Sequence, residues 1–271
     1  MPPGNPGASR PSITSLTPTV CDLMAVPRPG LSSCDPLAGV IRLRDDMGMS
    51  KVERCLVYAP DAVGRQVLDR HPGLAEEVGR VAPVREYLKS VFPPKTPVCF
   101  ASMFTGAEPE AHGITVYERP VLECDTLFDA LIRAGKKPAI VSVRDASADV
   151  IFRGRDMDYF SEPYDGGVTA RVLGLIAAGE HDFILAYHQE YDDLLHKSGT
   201  FSPEALAAAG RHVNAFIELA DSARKCWAGG SGAFVFAPDH GAHDDPETGA
   251  GTHGDDIPSD MDVIHFFGLV G

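Results

Sequence analysis

Five apolar runs limit most strongly what this chain can fold into: CLVYAP at 55–60, AIVSV at 139–143, DFILAY at 182–187, GAFVFAPDH at 232–240 and VIHFFGLV at 263–270. Each is short and rich in β-branched and aromatic residues, the signature of a buried strand. Helical spacing fills the intervals. It covers 63–81 with a break near Pro72-Gly73, 125–135 with Asp125 as N-cap and Gly135 as stop, and 166–178. A long helix opens at Ser202-Pro203 and runs to about Cys226. Thr17 before Pro18 marks another helix start, and 84–92 reads as a strand ending at Pro93-Pro94. Apolar strands alternating with amphipathic helices require a mostly parallel sheet covered on both faces, an α/β three-layer arrangement. Ligands of such sheets sit beyond the carboxyl ends of the strands.

The length of 271 residues fits one large domain. The expected division is a Pro- and Gly-rich, disordered start at 1–12 and a single domain over 13–271, in which the irregular, acidic stretch 145–165 forms a small cap. The net charge of -14 excludes a nucleic-acid binder that works by neutralising phosphates. No apolar run approaches the roughly 20 residues of a membrane span. The start, MPPGNPGASRPS, lacks the apolar core of a secretory signal, and the six cysteines form no CxxC. Free thiols in a reducing, cytoplasmic setting are therefore expected. The acidity also means that an anionic ligand needs local positive charge, which bound metal ions supply.

Chemistry-bearing residues collect at the predicted carboxyl ends. Asp61 follows the first strand, Asp192 and His196 follow DFILAY, Asp239 and His240 follow FVFAP, and His253 lies in the loop GAGTHGDD. Asp192 and His196 are spaced i,i+4, so one helical turn puts both on one face. Mixed Asp and His sets suit zinc, with manganese as the harder alternative. Taken singly, each is ordinary: an Asp after a strand is usually a cap or turn residue, and an Asp–His pair on a helix is usually solvated. Their coincidence at one sheet edge carries the reading. Thr96 precedes an expected helix start, where free N–H groups and the helix dipole favour an anion. By itself it would be a capping residue.

These residues, together with TPVCFASMFTGAEPEAHGI, YDDLLHKSG, FAPDHG and THG, resemble the alkaline phosphatase superfamily, and within it the type I phosphodiesterase/nucleotide pyrophosphatase family. The pattern is Thr105-Gly106, Pro109 and His112-Gly113-Ile114, with Thr96 nine residues before Thr105. The resemblance runs from about 55 to 254. It implies an alkaline-phosphatase-like fold, with Asp61, Thr96, Asp239 and His240 around one divalent metal and Asp192, His196 and His253 around a second. It further implies that Thr96 is the nucleophile of a metal-dependent phosphate-ester hydrolase acting on small-molecule esters or nucleotides. Three departures stand out. Ala62 replaces a frequent Gly, Pro97 directly follows the nucleophile position, and no Asn follows HGI to contact a phosphate oxygen. Lys95 or Tyr117 are candidate substitutes for that contact.

The missing Asn leaves the diester preference open. Phosphomonoester hydrolysis, phosphonate cleavage and phosphomutase chemistry use the same metal set. Cys99 is a rival nucleophile, but the Cys-x-Pro-x-Arg pattern of sulfatases is absent. A non-catalytic metal or nucleotide binder is the alternative of another class, and the completeness of the seven-residue set speaks against it. Arg153 and Arg155 are candidates to meet an anionic substrate, or equally solvated surface arginines. Residues 13–30 resemble a segment that relatives carry after the THG motif, so a circularly permuted arrangement would place them beside the last strand.

Overall fold

The computed structural model describes residues 10–271. Nine strands form: β1 Arg54–Pro60, β2 Val84–Lys89, β3 Pro138–Val143, β4 Asp158–Glu162, β5 Phe183–His188, β6 Gly232–Phe236, β7 His243–Asp244, β8 Gly251–Thr252 and β9 Asp262–Val270. Seven build one sheet in the order β2-β9-β6-β1-β5-β3-β4, and β7 and β8 pair as a small hairpin. Within the large sheet only β9 runs antiparallel, to β2 and β6. The five expected apolar runs are β1, β3, β5, β6 and β9, and β1, β3, β5 and β6 are buried on both faces. Register brings Pro60 level with His188 and Ser142 level with Tyr187, so the carboxyl ends of β1, β5 and β3 form one ledge.

Helices cover both faces. On one, the helix Pro203–Cys226 packs Phe216 against Tyr58 and Phe236. On the other, the helix Thr96–Thr105 sets Phe100 against Tyr187 and Phe104 against Phe128 and Phe152. Burial of these aromatic layers removes about 150–250 Å² of surface per ring from water. The helix Thr96–Thr105, wholly buried, is thereby fixed along the sheet with its N-terminus at the ledge.

Several expectations need correction. Residues 1–9 lie outside the described residues, but Pro11 is ordered, its carbonyl accepting Lys89 N–H at 2.9 Å. Thr126, not Asp125, caps the helix Leu127–Arg133 through a reciprocal capping box with Asp129. Asp125 instead pairs with Arg133. The stretch 145–165 is no separate cap. It contains the helix Ser147–Val150 and supplies β4, an edge strand whose exposed and half-buried residues, DYFSE, carry little apolar signal. The N-terminal helix Leu16–Met24 packs on the helix Thr96–Thr105, with Thr17 Oγ1 donating to Met103 O at 2.7 Å. Beside β2 and β9 lies instead the helix Ala38–Asp46, in a region where the sequence pattern predicted no element.

Candidate active site

The ledge places the expected site residues into two adjoining clusters. In the first, the ligand atoms of Asp61, Asp239 and His240 lie within 4.8 Å of one another; in the second, those of Asp192, His196 and His253 do. The imidazoles of His240 and His253 stack with centroids 4.1 Å apart, so the clusters share a wall. Thr96 sits at residue one of its helix, its Oγ1 3.3 Å from Asp61 Oδ2 and 3.4 Å from His240 Nε2.

Backbone geometry explains how the sequence delivers these side chains. Asp61 leaves the end of β1, and Ala62 takes φ +60°, a left-handed turn for which its N–H donates to Asp239 Oδ1 at 3.2 Å. A glycine would adopt that turn without strain. Gly241, after His240, passes so close to the neighbouring chain that a Cβ would stand 2.0 Å from Ser259 O. The helix Glu190–Ser198 carries Asp192 and His196 one turn apart, 3.3 Å from each other. His253 sits in a loop held by Asp260, which accepts Gly254 N–H at 2.9 Å and Asp255 N–H at 3.0 Å.

All three imidazoles are oriented alike. Nδ1 of His240, His196 and His253 lies 3.0, 2.8 and 2.8 Å from the carbonyls of Gly241, Gly251 and Pro94. A carbonyl only accepts, so each Nδ1 carries the hydrogen, and the Nε2 atoms turn inward. There they face carboxylates: His240 Nε2 is 3.3 Å from Asp239 Oδ2, and His253 Nε2 is 3.5 Å from Asp192 Oδ1. Asp239 Oδ2 and Asp192 Oδ1 are buried with no hydrogen-bond partner among the described residues. Burial and the neighbouring carboxylates raise Asp61 well above the usual range, and burial first of all pushes Asp239 up to about 8. Burial drives His240 well below its ordinary value. In the second cluster the Asp192 carboxylate, 3.3 Å away, raises His196, while His196 and His253 outweigh burial to hold Asp192 low. The first cluster is thus short of positive charge at its centre, while in the second the Asp192 carboxylate is offset by the imidazoles beside it. Inward lone pairs, orphaned carboxylate oxygens and carbonyl-anchored Nδ1–H groups fit divalent cations.

A cavity of about 520 Å³ opens over the clusters, and its walls include Lys95, Tyr117, Arg119, Arg144, Gln189 and Asp193. Lys95 and Tyr117, the expected substrate contacts, both line this cavity. The Lys95 ammonium, however, donates to the carbonyl of His253, so it braces that loop as well as facing the cavity. Arg119 and Arg144 were not foreseen. The available signal was the place of Arg144, directly after the apolar strand at 139–143. Arg153 and Arg155 lie elsewhere. Arg153 pairs with Asp149, and Arg155 is buried against Asp129 and the carbonyls of Leu122 and Cys124. Cys99 is fully buried beside Ser90 Oγ at 3.2 Å, and burial pushes its thiol well up, so it faces no substrate. His112 of the HGI motif accepts Ile114 N–H and bonds Ser102 Oγ at 2.8 Å, a structural pin.

A third Asp–His group, Asp165, His188 and His212, lies behind the helix Glu190–Ser198. Its centre is filled by a protein group: Tyr58 Oη stands 2.8 Å from His188 Nδ1 and 3.1 Å from His212 Nδ1. His212 Nε2 accepts Tyr191 N–H, so its hydrogen is on Nδ1 and points to Tyr58. Tyr58 then donates to His188, whose Nε2–H reaches Thr169. This chain is a satisfied hydrogen-bond network.

The fold is that of the alkaline phosphatase superfamily. Within it, the chain belongs to the type I phosphodiesterase/nucleotide pyrophosphatase family, whose sequence model matches residues 60–264. Similar solved structures include murine ectonucleotide pyrophosphatase/phosphodiesterase 5, an inactive threonine-to-alanine variant in complex with AMP, at 18% identity and TM-score 0.59 over 72% of this chain and 59% of that one. Phosphonoacetate hydrolase from Sinorhizobium meliloti, in complex with phosphonoacetate, matches at 18% identity and TM-score 0.54 over 72% and 58% of the two chains. A 2-O GAG sulfatase matches at 12% identity and TM-score 0.51 over 80% and 64%. The chain thus spans under three-fifths of the length of the first two. No curated protein matches at a significant level. Among the described residues, no helix is long and apolar enough to cross a membrane.

Proposed function

We propose that the protein is a hydrolase of small-molecule phosphate esters that depends on two divalent cations, with Thr96 as nucleophile. The observation that carries this reading is the position of Thr96 Oγ1, at a helix N-terminus and within 3.5 Å of both Asp61 and His240. Asp61, Asp239 and His240 would hold one cation and Asp192, His196 and His253 the other, with zinc suited to this donor set and manganese the alternative. Bound cations would lower the pKa of a nearby hydroxyl and offset the charge of phosphoryl oxygens.

The chain's own part is set by its geometry. Pro97 has no N–H, and Cys99 N–H is taken by Lys95 O at 2.9 Å, so the first helical turn offers an anion the N–H groups of Thr96 and Val98. Thr96 Oγ1 gives its proton to solvent and bonds to phosphorus as the bond from phosphorus to the leaving oxygen breaks, and the departing alkoxide takes a proton from solvent. Water then cleaves the phosphothreonine, returning the hydroxyl and releasing phosphate or its monoester. The inactive form of the murine neighbour carries a threonine-to-alanine substitution, in keeping with a threonine nucleophile.

The test is hydrolysis of a chromogenic phosphodiester and the matching monoester by chelator-stripped protein reloaded with zinc or manganese. Metal-dependent cleavage of the diester is the expected result. Preference for the monoester would move the protein to the phosphomonoesterase reading, which the absence of an Asn after HGI favours. Turnover of neither, with metal bound, would overturn the hydrolase reading in favour of a metal or nucleotide binder. Location in the cytoplasm stays part of the proposal, resting on the unpaired cysteines.

A further inference from the structure

Arg144 stands apart from the other cations of the cavity wall. Lys95 gives its ammonium to His253 O, and Arg119 donates to Asp145 O. Arg144 is exposed on the cavity wall, and among the described residues its side chain has neither an ion pair nor a hydrogen bond. Asp145 and Asp193 share that wall, yet neither pairs with it. In a chain of net charge -14, a guanidinium left free in the cavity over the candidate catalytic centre is an available anion receptor.

The backbone around it is specially built. Three non-glycine residues take positive φ: Ala25, Ala62 and Asp145. Ala25 merely ends the helix Leu16–Met24. The other two repeat one construction: a strand end, a cavity-facing residue, then a left-handed residue. Pro60-Asp61-Ala62 presents Asp61 at the end of β1, and Val143-Arg144-Asp145 presents Arg144 at the end of β3. The second turn is held from two sides. Asp145 N–H donates to Asp149 Oδ2 at 3.0 Å, and Arg119 clasps the Asp145 carbonyl. Asp149 is itself fixed by Ser161 Oγ at 2.6 Å. A left-handed residue persists where its surroundings over-determine it, and such positions gather at functional sites. The clasp also ties the segment carrying Tyr117 and Arg119 to the same turn.

We infer that Arg144, braced through Arg119 and Asp145, is an oxyanion subsite, and that the substrate is a phosphate ester carrying a second anionic group, carboxylate or phosphate. This rests on the proposed hydrolase reading and narrows its substrate class. The planar guanidinium takes either group through two parallel N–H donors. Tyr117, on the wall of the same cavity, offers the connecting part of the substrate an exposed ring.

The test uses p-nitrophenyl phosphodiesters whose second ester group is ethyl, carboxymethyl or phosphoethyl, with metal-loaded protein. We expect kcat/KM for the two anionic esters to exceed that for the ethyl ester, and the ratio to fall at least tenfold in Arg144→Ala, with partial recovery in Arg144→Lys. The carboxymethyl and phosphoethyl arms identify which anion is preferred. An equal loss on all three esters, or no change in the ratio, overturns the subsite. A second readout separates this from the hydrolase proposal: equilibrium binding of non-hydrolysable methylphosphonate esters bearing ethyl or carboxymethyl groups. Binding that favours carboxymethyl and loses that preference in Arg144→Ala supports the subsite even where no ester is turned over. Equal binding of both by wild-type protein overturns it.

Discussion

Thr96 can be separated experimentally from the groups around it. Removing its hydroxyl leaves Asp61, Asp239 and His240 in place, since those are held by Tyr187, Ala62 and Gly241. Thr96→Ala is therefore expected to lower kcat/KM by about a thousandfold or more while zinc binding by calorimetry changes little. Thr96→Ser keeps the nucleophile and should retain most of the rate; full activity in the Ala variant would reject the assignment. His265, under the site, gives a second single-residue test. Its Nε2 lies 2.9 Å from Pro238 O, and burial holds its pKa down to about 4. Its ordinary value is 6.5, so between pH 6.5 and 4 the unfolded chain binds one proton more than the folded one. Stability contributed by His265 is full above pH 6.5 and falls as pH drops. Gln retains an N–H donor without titrating. Between pH 6.5 and 4, the urea-derived stability of wild type should fall more steeply than that of His265→Gln, by up to about 1.4 kcal/mol per pH unit. Parallel slopes would show that His265 titrates alike in both states.

At the scale of elements, the helix Glu190–Ser198 matters most, because it carries two expected metal ligands and is anchored from behind. Asp165 accepts the N–H groups of Gln189 and Glu190, each at 3.0 Å, at the start of that helix. Beneath it run Tyr58, His188 and His212, with His212 also holding Tyr191 N–H at 3.1 Å. Asp165→Ala should cost about 2 kcal/mol in urea unfolding and weaken zinc binding about tenfold. Tyr164→Ala, on the exposed neighbour, should alter neither; equal effects from both would deny the helix anchor. None of this network was legible in the sequence, because its members come from β1, β5 and two helices and meet only through tertiary packing. The strands were legible for the opposite reason: β1, β3, β5, β6 and β9 are unbroken apolar runs, and the residue after such a run must emerge at the sheet edge. That logic found Asp61 and Asp239, and helical spacing found the Asp192–His196 pair. His253 came from a glycine-rich loop and the family resemblance. Arg144 obeys the strand-end rule, whereas Arg153 and Arg155, the arginines of the acidic stretch, are committed to Asp149 and Asp129. β4 escaped because an edge strand half in water needs no apolar run.

For the whole molecule, the site is a local burden on stability that a bound cation would relieve. In the first cluster two carboxylates are gathered with the His240 imidazole in a buried space, and burial raises Asp61 and Asp239 accordingly. An added cation reverses this balance, so zinc at a hundredfold excess over its Kd should stabilise the protein by about 2.7 kcal/mol. The two terms can be uncoupled at one atom. Asp239 Oδ1 already accepts Ala62 N–H, while Oδ2, 3.3 Å from His240 Nε2, has no donor. In Asp239→Asn the amide oxygen can keep the first contact, and its NH2 group can donate to the His240 lone pair. An orphaned buried acceptor then becomes a hydrogen-bonded pair, a change worth about 1–2 kcal/mol. With chelator present above pH 8, where Asp239 is ionised, Asp239→Asn should therefore melt above the wild-type protein. With zinc present the order should invert, because the variant has lost an anionic ligand and with it most of the metal-dependent rise in Tm. If the chelated variant melts lower than wild type, the first cluster is stable as a protein network, and the case for a cation among Asp61, Asp239 and His240 fails with it.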